Sequence, residues 1–341
     1  MATPAQSLGR KPRVLSLGSV SWAGEDFISK FEDTCDLYTV QPTDRDGTVQ
    51  AIAEARKTRG LFDAVLILMG NGAYERFDEG LLGPLVPELK IIGSVNAGYS
   101  EFDLEWLNKN EVLVCNTVDA VAEPTADMTI FLMLAALRDT SRFEQEIRTG
   151  GWRGGAKVPL LDPHGKKLGI IGMGKIGRHV ARKSRVFGMD VQYYNRNQLS
   201  PELEQSLDAK YCSSVKELVQ TSDIISINCP LSPETRGLIG VQEFTHMKDG
   251  VILINTGRGA VVDEKALIDA LEAGKVARCG LDVFDGEPRV NDYFRKSTRC
   301  IVQPHMGSWT DVAWKNAYRE AMNNVTSFFT QGKPISPVNS S

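Results

Sequence analysis

The stretch Leu168-Gly169-Ile170-Ile171-Gly172-Met173-Gly174-Lys175-Ile176-Gly177 decides the fold of this chain. It begins as a short apolar run, which is typical of a buried strand, and continues with the spacing G-x-G-x-x-G. A helical pattern follows over residues 176–187. The glycine spacing alone is a weak signal in a chain with 31 glycines. Strand, loop and helix together predict the phosphate-binding turn of a dinucleotide-binding domain.

Each residue of the loop has a predicted task. Gly172 permits the tight turn, Gly174 lets a pyrophosphate approach the backbone, and Gly177 lets the helix pack against its strand. The free N–H groups of the first helical turn, at Lys175 and Ile176, are expected to face the phosphate charge. The competing interpretation is a glycine-rich turn that binds nothing.

The strand predicted at residues 191–194 ends where NAD-dependent enzymes usually place an acid for the ribose 2′-hydroxyl. This chain has Asn195 followed by Arg196 there. Asn195 carries no charge that would repel a 2′-phosphate, and Arg196 can pair with one bidentately. The sequence therefore favours NADPH, with NADH as the alternative if Arg196 points into solvent and Asn195 serves a neutral ribose.

Short apolar strands alternate with helical patterns on both sides of this loop. Strands are predicted at residues 14–17, 64–68, 91–95, 112–115, 168–171, 191–194, 224–227, 251–255, 279–283 and 300–302. Helices are predicted at residues 49–57, 102–110, 124–148, 176–187, 264–273 and 309–329. Apolar strands joined by helices indicate parallel sheets covered on both faces.

We therefore predict an α/β protein of two Rossmann-like or flavodoxin-like parallel-sheet domains with a cleft between them. Residues 1–120 plus 309–341 are expected to form a discontinuous substrate-binding, catalytic domain, and residues 121–308 the dinucleotide-binding Rossmann domain. The long helix predicted at residues 124–148 carries Met128, Phe131, Leu132 and Ala135 on one apolar face, which could be core or dimer interface.

The composition argues against several classes of protein. The 341 residues carry 39 basic and 43 acidic side chains, and a net charge of −4 disfavours a protein held on nucleic acid by phosphate contacts. The longest apolar run, residues 130–137, is shorter than the about 20 residues that span a bilayer, and the N-terminus lacks a signal-peptide pattern. The six cysteines form no C-x-x-C pair and are expected to be reduced. We expect a cytoplasmic protein with no nucleic-acid, membrane or metal partner.

Three polar residues follow later strands. Arg258 lies in N-T-G-R-G (255–259), Glu287 in L-D-V-F-D-G-E-P (281–288) and His305 in P-H-M-G-S (304–308). Each alone would be interpreted as a solvated or structural group. All three follow strand ends, however, where open α/β sheets form their ligand crevice.

With these motifs the chain resembles the D-isomer-specific 2-hydroxyacid dehydrogenase family over residues 14–333, and most of all its glyoxylate/hydroxypyruvate reductases of fungal type. The resemblance implies an oxidoreductase that forms a homodimer, with Arg258, Glu287 and His305 as the catalytic residues. Many members of that family have alanine where Gly257 stands, which we expect to be a small change.

The resemblance also implies binding residues beyond the glycine loop. The predicted cofactor-binding set is Gly172, Gly174, Lys175, Ile176, Gly177, Asn195, Arg196, Cys229, Pro230, Thr125, Thr256, Gly257, Asp282 and Gly307, with Asp282 on the nicotinamide carboxamide. The predicted substrate-binding set is Val95, Asn96, Ala97, Gly98, Leu68, Met69, Arg258 and His305. The backbone amides of residues 95–98 are expected to hold the substrate carboxylate.

The chemistry of these residues predicts a mechanism for reducing a 2-keto acid. His305 donates a proton to the carbonyl oxygen, Glu287 favours the imidazolium, and Arg258 binds the carboxylate and polarises the carbonyl. The nicotinamide cofactor supplies the hydride. Leu68, Met69, Gly70 and Asn71 end a strand of the first domain and are expected to face the cleft, with Met306 and Trp309 on its other side. The bulky groups on both sides favour glyoxylate or hydroxypyruvate as substrate.

Other functions stay open at this point. A larger aromatic or branched 2-keto acid, of the mandelate type, is the second candidate substrate. A non-enzymatic, dinucleotide-sensing protein of the corepressor kind would have the same fold, could tolerate loss of the proton donor and would need a partner-binding surface; the presence of Arg258, Glu287 and His305 favours the enzyme. A methyltransferase with a similar glycine loop would not need these three residues.

Overall fold

The computed structural model describes residues 9–68, 76–153 and 160–339. The chain divides into two compact units, which we call unit 1 (Met1–Val121 with Trp309–Ser341) and unit 2 (Ala122–Ser308). Each unit is built on one parallel sheet, of five strands in unit 1 and seven in unit 2. The prediction of an α/β protein with two parallel sheets is confirmed.

The strands occupy short segments in both units. In chain order they are β1 (Arg13–Leu17), β2 (Asp36–Val40), β3 (Ala64–Ile67), β4 (Ile91–Ser94), β5 (Leu113–Cys115), β6 (Lys167–Ile171), β7 (Asp190–Tyr194), β8 (Ala209–Tyr211), β9 (Ile224–Ile227), β10 (Val251–Asn255), β11 (Val276–Leu281) and β12 (Cys300–Val302).

Helices join most of these strands. In chain order they are α1 (Glu25–Thr34), α2 (Arg45–Arg59), α3 (Glu79–Leu82), α4 (Leu104–Lys109), α5 (Asp119–Leu137), α6 (Thr140–Arg148), α7 (Lys175–Val186), α8 (Pro201–Leu207), α9 (Val215–Thr221), α10 (Val241–His246), α11 (Glu264–Glu272), α12 (Asp292–Lys296) and α13 (Asp311–Gln331). Several begin at a side-chain cap; Asp44, for example, accepts the Gly47 N–H at 2.8 Å.

The sheet of unit 1 has the strand order β2-β1-β3-β4-β5 with every pair parallel, which is the flavodoxin-like order. Strands β3 and β4 are buried at every residue, which explains their continuous apolar sequences. Strand β2 was not predicted. It lies at the edge of the sheet, and only Val40 of its five residues is buried, so it lacks that apolar signal.

The sheet of unit 2 has the order β12-β11-β10-β9-β6-β7-β8, again with every pair parallel. The chain runs from β6 out to β8 and then returns to β9 on the other side of β6. The strand order therefore reverses between β6 and β9, which is the position where sheets of this kind bind ligands beyond their carboxyl ends.

Two strands of unit 2 differ from the prediction. Strand β11 starts three residues earlier than predicted and ends at Leu281 rather than at residue 283. Asp282 is consequently the first residue beyond the strand. The three-residue edge strand β8 was missed because Lys210 and Tyr211 are exposed or half-buried.

The single helix predicted at residues 124–148 is wrong. The structure has two helices, α5 and α6, separated at Arg138 and Asp139. Asp139 is in the left-handed region at φ 53°, which ends α5. Its carboxylate accepts from Arg142 Nε at 2.6 Å and lies 3.7 Å from the Arg278 guanidinium, which also binds the Ala136 carbonyl. These contacts with β11 stabilise a break that the local helical pattern does not reveal.

Helix α5 also starts before Pro124, so Glu123 and Asp127 are not at its first turn as predicted. Both carboxylates instead contact Lys183 on α7, at 3.0 and 2.7 Å. The predicted apolar face is divided as well. Leu132 and Ala135 are buried, whereas Phe131 is 52% exposed and Met128 is half-buried.

Within the described ranges, α5 is the one helix with the length and apolar composition to cross a membrane. A core helix of a globular protein meets the same criterion. In this structure 61% of the most apolar 18-residue stretch of α5 is buried, as is expected of a core helix.

Candidate active site

The glycine loop follows β6 at the point where the strand order reverses. Gly172 has φ +99°, and a Cβ on it would lie 2.6 Å from the backbone nitrogen of Cys229 after β9. A Cβ on Gly177 would lie 2.3 Å from the Gly172 carbonyl oxygen. Gly174 differs, because no heavy atom lies within 4 Å of the position that a Cβ on it would occupy, and the residue is exposed. Two glycines thus serve close packing, and the third leaves room beside the N-terminus of α7.

Asn195 ties the end of β7 to this loop. Its Oδ1 accepts the Met173 N–H at 2.8 Å. Since an N–H needs an oxygen as its acceptor, this contact fixes the orientation of the amide and turns Nδ2, a donor, outward. Arg196 is exposed beside it. The end of β7 therefore offers hydrogen-bond donors where an acid would offer an acceptor.

Helix α7 supplies the remaining loop residues. Lys175 is its first residue and is exposed, and Ile176 packs against the core of unit 2. The first N–H groups of this twelve-residue helix therefore border the open space at Gly174. An open glycine, a helix N-terminus and donors after β7 fit the diphosphate and ribose of a dinucleotide.

Asn255 fixes the loop that follows β10 and carries Arg258, which we call the arginine loop. The Asn255 amide donates to the Arg258 carbonyl at 3.0 Å and accepts from the Gly257 N–H at 3.0 Å. Asn255 is 1% exposed. Arg258 itself is half-buried, and one of its guanidinium nitrogens donates to the Gly257 carbonyl at 2.9 Å. Asn255 was not among the predicted site residues, although it opens the N-T-G-R-G motif.

Gly257 is closely packed in this chain. A Cβ on Gly257 would lie 2.9 Å from the Cys229 carbonyl oxygen, so that alanine would require the backbone to shift. Gly259 is tighter still, with its Cβ position 1.9 Å from the backbone of Phe284. The loop that carries Arg258 is therefore packed against two neighbouring loops.

A network of hydroxyl groups connects other predicted cofactor residues. Thr256 Oγ1 lies 2.8 Å from Thr129 Oγ1 and accepts from the Asn228 amide at 3.3 Å. Thr129 in turn donates to the Thr125 carbonyl at 2.8 Å. Thr129 was missed from the sequence because a threonine inside a helix carries no motif. Pro230 is exposed, and its carbonyl accepts from Thr235.

Glu287 and His305 are in direct contact. Glu287 Oε2 lies 2.7 Å from His305 Nδ1, and Glu287 Oε1 accepts the Phe284 N–H at 2.8 Å. His305 has φ +57°, a left-handed conformation that is uncommon outside glycine and often found at functional sites. The contact joins residues from the loops after β11 and β12.

Asp282 holds the His305 loop in this conformation. Its two carboxylate oxygens accept the N–H groups of Met306 and Gly307, each at 2.8 Å, and its carbonyl accepts the His305 N–H at 2.7 Å. Thr125 lies close by, 3.4 Å from the Cβ position of Gly307. The structure thus brings Thr125, Asp282 and Gly307 together, and uses both Asp282 oxygens for positioning.

The pKa values of Glu287 and Asp282 are set by burial and by nearby charges and N–H donors. Burial alone would raise the pKa of Glu287, but the His305 hydrogen bond and charge, the Phe284 N–H and the Arg258 charge outweigh it and hold that pKa below its ordinary value. Burial raises the pKa of Asp282, and the two N–H donors and the nearby imidazole offset this only in part. Glu287 is therefore a stable carboxylate at neutral pH.

The predicted substrate residues of unit 1 follow β3 and β4. Val95 is fully buried and its N–H donates to the Ile67 carbonyl, so it does not offer an amide as predicted. The Asn96 N–H donates to Ser94 Oγ at 3.2 Å. Ala97 and Gly98 are half-buried, and no described residue accepts their N–H groups. Ala97 and Gly98 are therefore the two amides of this loop that a carboxylate could use.

Two further predictions concern the end of β3. Leu68 is 3% exposed and packs in the core of unit 1, so it does not line an open surface. Met69, Gly70 and Asn71 lie outside the described residues. The cysteines are free, as predicted, and burial raises the pKa of the Cys229 thiol to about 11, which makes it a poor nucleophile.

Comparison with known proteins identifies the kind of protein that this fold and site define. Residues 130–307 match the family model described as D-isomer specific 2-hydroxyacid dehydrogenase, NAD binding domain. The chain is 47% identical to dehydrogenase efuE of Hormonema carpetanum, over 98% of this chain and 86% of that protein.

Two solved structures are similar over nearly their whole length. The glyoxylate reductase from Paecilomyes thermophila superimposes with a TM-score of 0.88 at 36% identity, covering 96% of this chain and 98% of that one. The holo D-mandelate dehydrogenase of Rhodotorula graminis gives a TM-score of 0.89 at 31% identity, covering 97% and 98%. The chain belongs to the D-isomer specific 2-hydroxyacid dehydrogenase family and is an oxidoreductase with a nicotinamide-cofactor-binding domain.

Proposed function

We propose that this protein reduces 2-keto acids to D-2-hydroxy acids with NADPH as its preferred cofactor. The observation that carries the proposal is the 2.7 Å contact between Glu287 and His305. The positive charge of Arg258 also helps to lower the pKa of Glu287. These three residues follow β10, β11 and β12, on the same edge of the sheet as the glycine loop. A dinucleotide-sensing protein without enzymatic activity would have no need for this trio.

The proton comes from His305 in this proposal. Its Nδ1–H donates to Glu287, so the imidazolium carries its second proton on Nε2, where it can pass to the carbonyl oxygen of the substrate. The Glu287 carboxylate favours that charged imidazolium. In the reverse direction the neutral His305 accepts the proton from the hydroxy acid.

Arg258 binds and polarises the substrate. In the structure only one of its guanidinium donors has a described acceptor, the Gly257 carbonyl, which leaves others for a carboxylate and a carbonyl oxygen. Its positive charge stabilises the alkoxide that develops when the carbonyl carbon accepts a hydride. A nicotinamide cofactor held at the glycine loop and the N-terminus of α7 would supply that hydride.

The preference for NADPH rests on the end of β7. Asn195 Oδ1 is already used by the Met173 N–H, which leaves the amide able to donate but poorly able to accept. A 2′-phosphate needs donors, whereas a 2′-hydroxyl is best served by an acceptor. The exposed Arg196 adds a charged donor.

Two substrate classes fit this chemistry. The sequence prediction was glyoxylate or hydroxypyruvate, and the similarity to a glyoxylate reductase supports it. A larger aromatic or branched 2-keto acid is the second candidate, supported by the similarity to a D-mandelate dehydrogenase and by exposed tryptophans in unit 1.

A substrate panel tests the proposed function. Purified protein is assayed for loss of NADPH or NADH absorbance with glyoxylate, hydroxypyruvate, phenylglyoxylate and 4-methyl-2-oxopentanoate. Chiral chromatography then gives the configuration of each chiral product. We expect D products and a higher kcat/KM with NADPH; no turnover with any keto acid, or L products, would contradict the proposal.

We also propose a cytoplasmic homodimer. Phe131 on α5, Ile147 on α6 and Trp152 beyond α6 are 52%, 55% and 75% exposed, which is unusual for large apolar side chains in a monomer. Light scattering should give twice the 37.5 kDa chain mass, and Phe131→Glu with Ile147→Glu should give the monomer mass. A monomeric wild-type protein would contradict this assignment.

A further inference from the structure

Unit 1 carries a cluster of four aromatic rings that the proposed mechanism does not use. The Trp314 ring on α13 lies 4.3 Å from that of Trp309 and 5.3 Å from that of Trp22, measured between centroids. Tyr318, one turn further along α13, stacks on Trp314 at 6.2 Å. We call Trp22, Trp309 and Trp314 the tryptophan cluster.

The tryptophan cluster is only partly covered. Tyr318 is 4% exposed and anchors the cluster to the core, but Trp22 and Trp309 are 50% and 53% exposed. Removal of a large aromatic side chain from water is favourable, so two half-exposed tryptophans beside the half-buried Trp314 form a surface suited to an apolar ligand. A single exposed apolar residue would not carry this argument.

The position of the tryptophan cluster is tied to the carboxyl edge of the unit 1 sheet. Trp22 lies in the turn that follows β1. Arg319 of α13 holds this turn by donating to the Ala23 carbonyl at 2.7 Å. Thr117 Oγ1 lies 2.8 Å from the Ser94 carbonyl at the end of β4 and 3.5 Å from the Ala317 carbonyl of α13.

The predicted carboxylate loop starts at the same strand end. Ala97 of that loop and Trp314 pack against the same hydrophobic core of unit 1. The tryptophan cluster and the two amides of Ala97 and Gly98 therefore belong to one edge of one unit.

We infer that the tryptophan cluster receives the side chain of the substrate and selects 2-keto acids with a large apolar side chain, aromatic or branched, over glyoxylate. This inference rests on the proposed function. Glyoxylate has only hydrogen in place of a side chain and would leave the indole rings in water. A phenyl or isobutyl group would cover them, and each additional buried carbon contributes to kcat/KM.

The test compares substrates across matched variants. Wild type, Trp22→Ala, Trp309→Ala and Trp309→Phe are assayed with NADPH against glyoxylate, phenylglyoxylate and 4-methyl-2-oxopentanoate. Ile335→Ala is the control, because Ile335 is an exposed apolar residue of unit 1 (60%) outside the tryptophan cluster. Thermal melting by circular dichroism verifies that each variant is folded.

The measured quantity is the ratio of kcat/KM for a large keto acid to kcat/KM for glyoxylate. We expect the wild-type ratio to exceed ten. Trp22→Ala and Trp309→Ala should each lower it by roughly 10- to 200-fold, which is the range for lost apolar contacts in a pocket. Trp309→Phe should retain most of the ratio, and Ile335→Ala all of it.

Three other results overturn the inference in distinguishable ways. If glyoxylate is reduced best and the tryptophan variants leave the ratio unchanged, the proposed function stands and the tryptophan cluster has no part in selecting the substrate. If wild-type protein reduces no keto acid, both the proposed function and the inference are wrong. An equal loss for all substrates would assign the tryptophans a purely structural role.

Discussion

At the scale of single residues, the decisive feature is that Glu287 binds two donors at once. One carboxylate oxygen accepts from the Phe284 backbone and the other contacts His305, so the side chain is fixed before any substrate arrives. Its pKa is held below its ordinary value. The carboxylate therefore stays charged throughout the neutral range and remains an acceptor for the imidazole N–H.

Replacement of Glu287 by glutamine tests this electrostatic role. A glutamine keeps the shape of the side chain and can still contact His305, but it lacks the negative charge that faces the imidazole. We expect Glu287→Gln to lower kcat, while KM for the keto acid changes little. The pKa of Glu287 is lowered, so the wild-type pH profile should show no loss of activity from protonation of Glu287 until the pH falls below the ordinary carboxyl range. A kcat equal to that of the wild type in the variant would contradict the role.

Replacement of Asn195 by aspartate tests the basis of cofactor preference. The variant can still accept the Met173 N–H, but it presents a negative oxygen to the ribose. We expect the ratio of kcat/KM with NADPH to that with NADH to fall roughly 10- to 100-fold, in line with one charge-assisted hydrogen bond. Arg196→Ala is the matched control and should lower kcat/KM with NADPH without affecting kcat/KM with NADH. A wild-type enzyme that prefers NADH would refute the assignment at once.

At the scale of elements, the loops at the carboxyl edge of the unit 2 sheet are positioned by groups that do no chemistry. Asn255 holds the arginine loop, Asp282 holds the histidine loop, and Asn195 holds the glycine loop. In each case a side chain at the last residue of a strand or just beyond it binds backbone N–H or carbonyl groups of a neighbouring turn. The parallel strands supply the common edge, and these side chains fix the loops on it.

Two glycine variants separate packing from cofactor binding. Gly257→Ala forces a Cβ to 2.9 Å from the Cys229 carbonyl and should lower the free energy of unfolding by about 1–3 kcal/mol. Gly174→Ala meets no atom within 4 Å and should leave stability unchanged while raising the Kd of NADPH. Urea unfolding and a fluorescence titration measure the two effects. The opposite pattern, with Gly174→Ala unstable and binding normally, would contradict the loop assignment.

Asp282→Asn tests the histidine loop. An asparagine offers one oxygen, so one of the Met306 and Gly307 N–H groups would face an amide donor and remain unsatisfied. That should reduce stability by about 1–3 kcal/mol and lower kcat more than it raises KM, because His305 loses its position. Chemical unfolding together with the pH profile distinguishes this from a merely structural defect, which would leave the profile unchanged in shape.

The sequence predicted most of the central strands because they are apolar runs buried on both faces, as in β3 and β9. It missed β2 and β8 because edge strands share that pattern only in part. The break between α5 and α6 depends on Arg278, which lies far along the chain, so no local pattern could show it. Among the site residues, Asn195, Arg258 and Glu287 stood in recognisable motifs. The supporting contacts of Asn255 and Thr129 could be recognised only from their neighbours in space.

At the scale of the whole molecule, the chain joins two parallel sheets of different strand order. Unit 2 contains the glycine loop and the trio Arg258, Glu287 and His305, and unit 1 contains the amides of Ala97 and Gly98 together with the tryptophan cluster. The proposed proton donor thus resides in one unit, and side-chain selection is proposed for the other. This division would let substrate preference change without altering the proton donor.

The most direct test of the central claim is the effect of His305→Gln on kcat for NADPH-dependent reduction of the best keto acid, with NADPH binding measured in parallel. Loss of the proton donor should lower kcat by roughly 10²- to 10⁴-fold while the Kd of NADPH stays within about twofold of wild type. Turnover equal to that of the wild type would show that His305 does not protonate the substrate, and the proposed mechanism would be wrong.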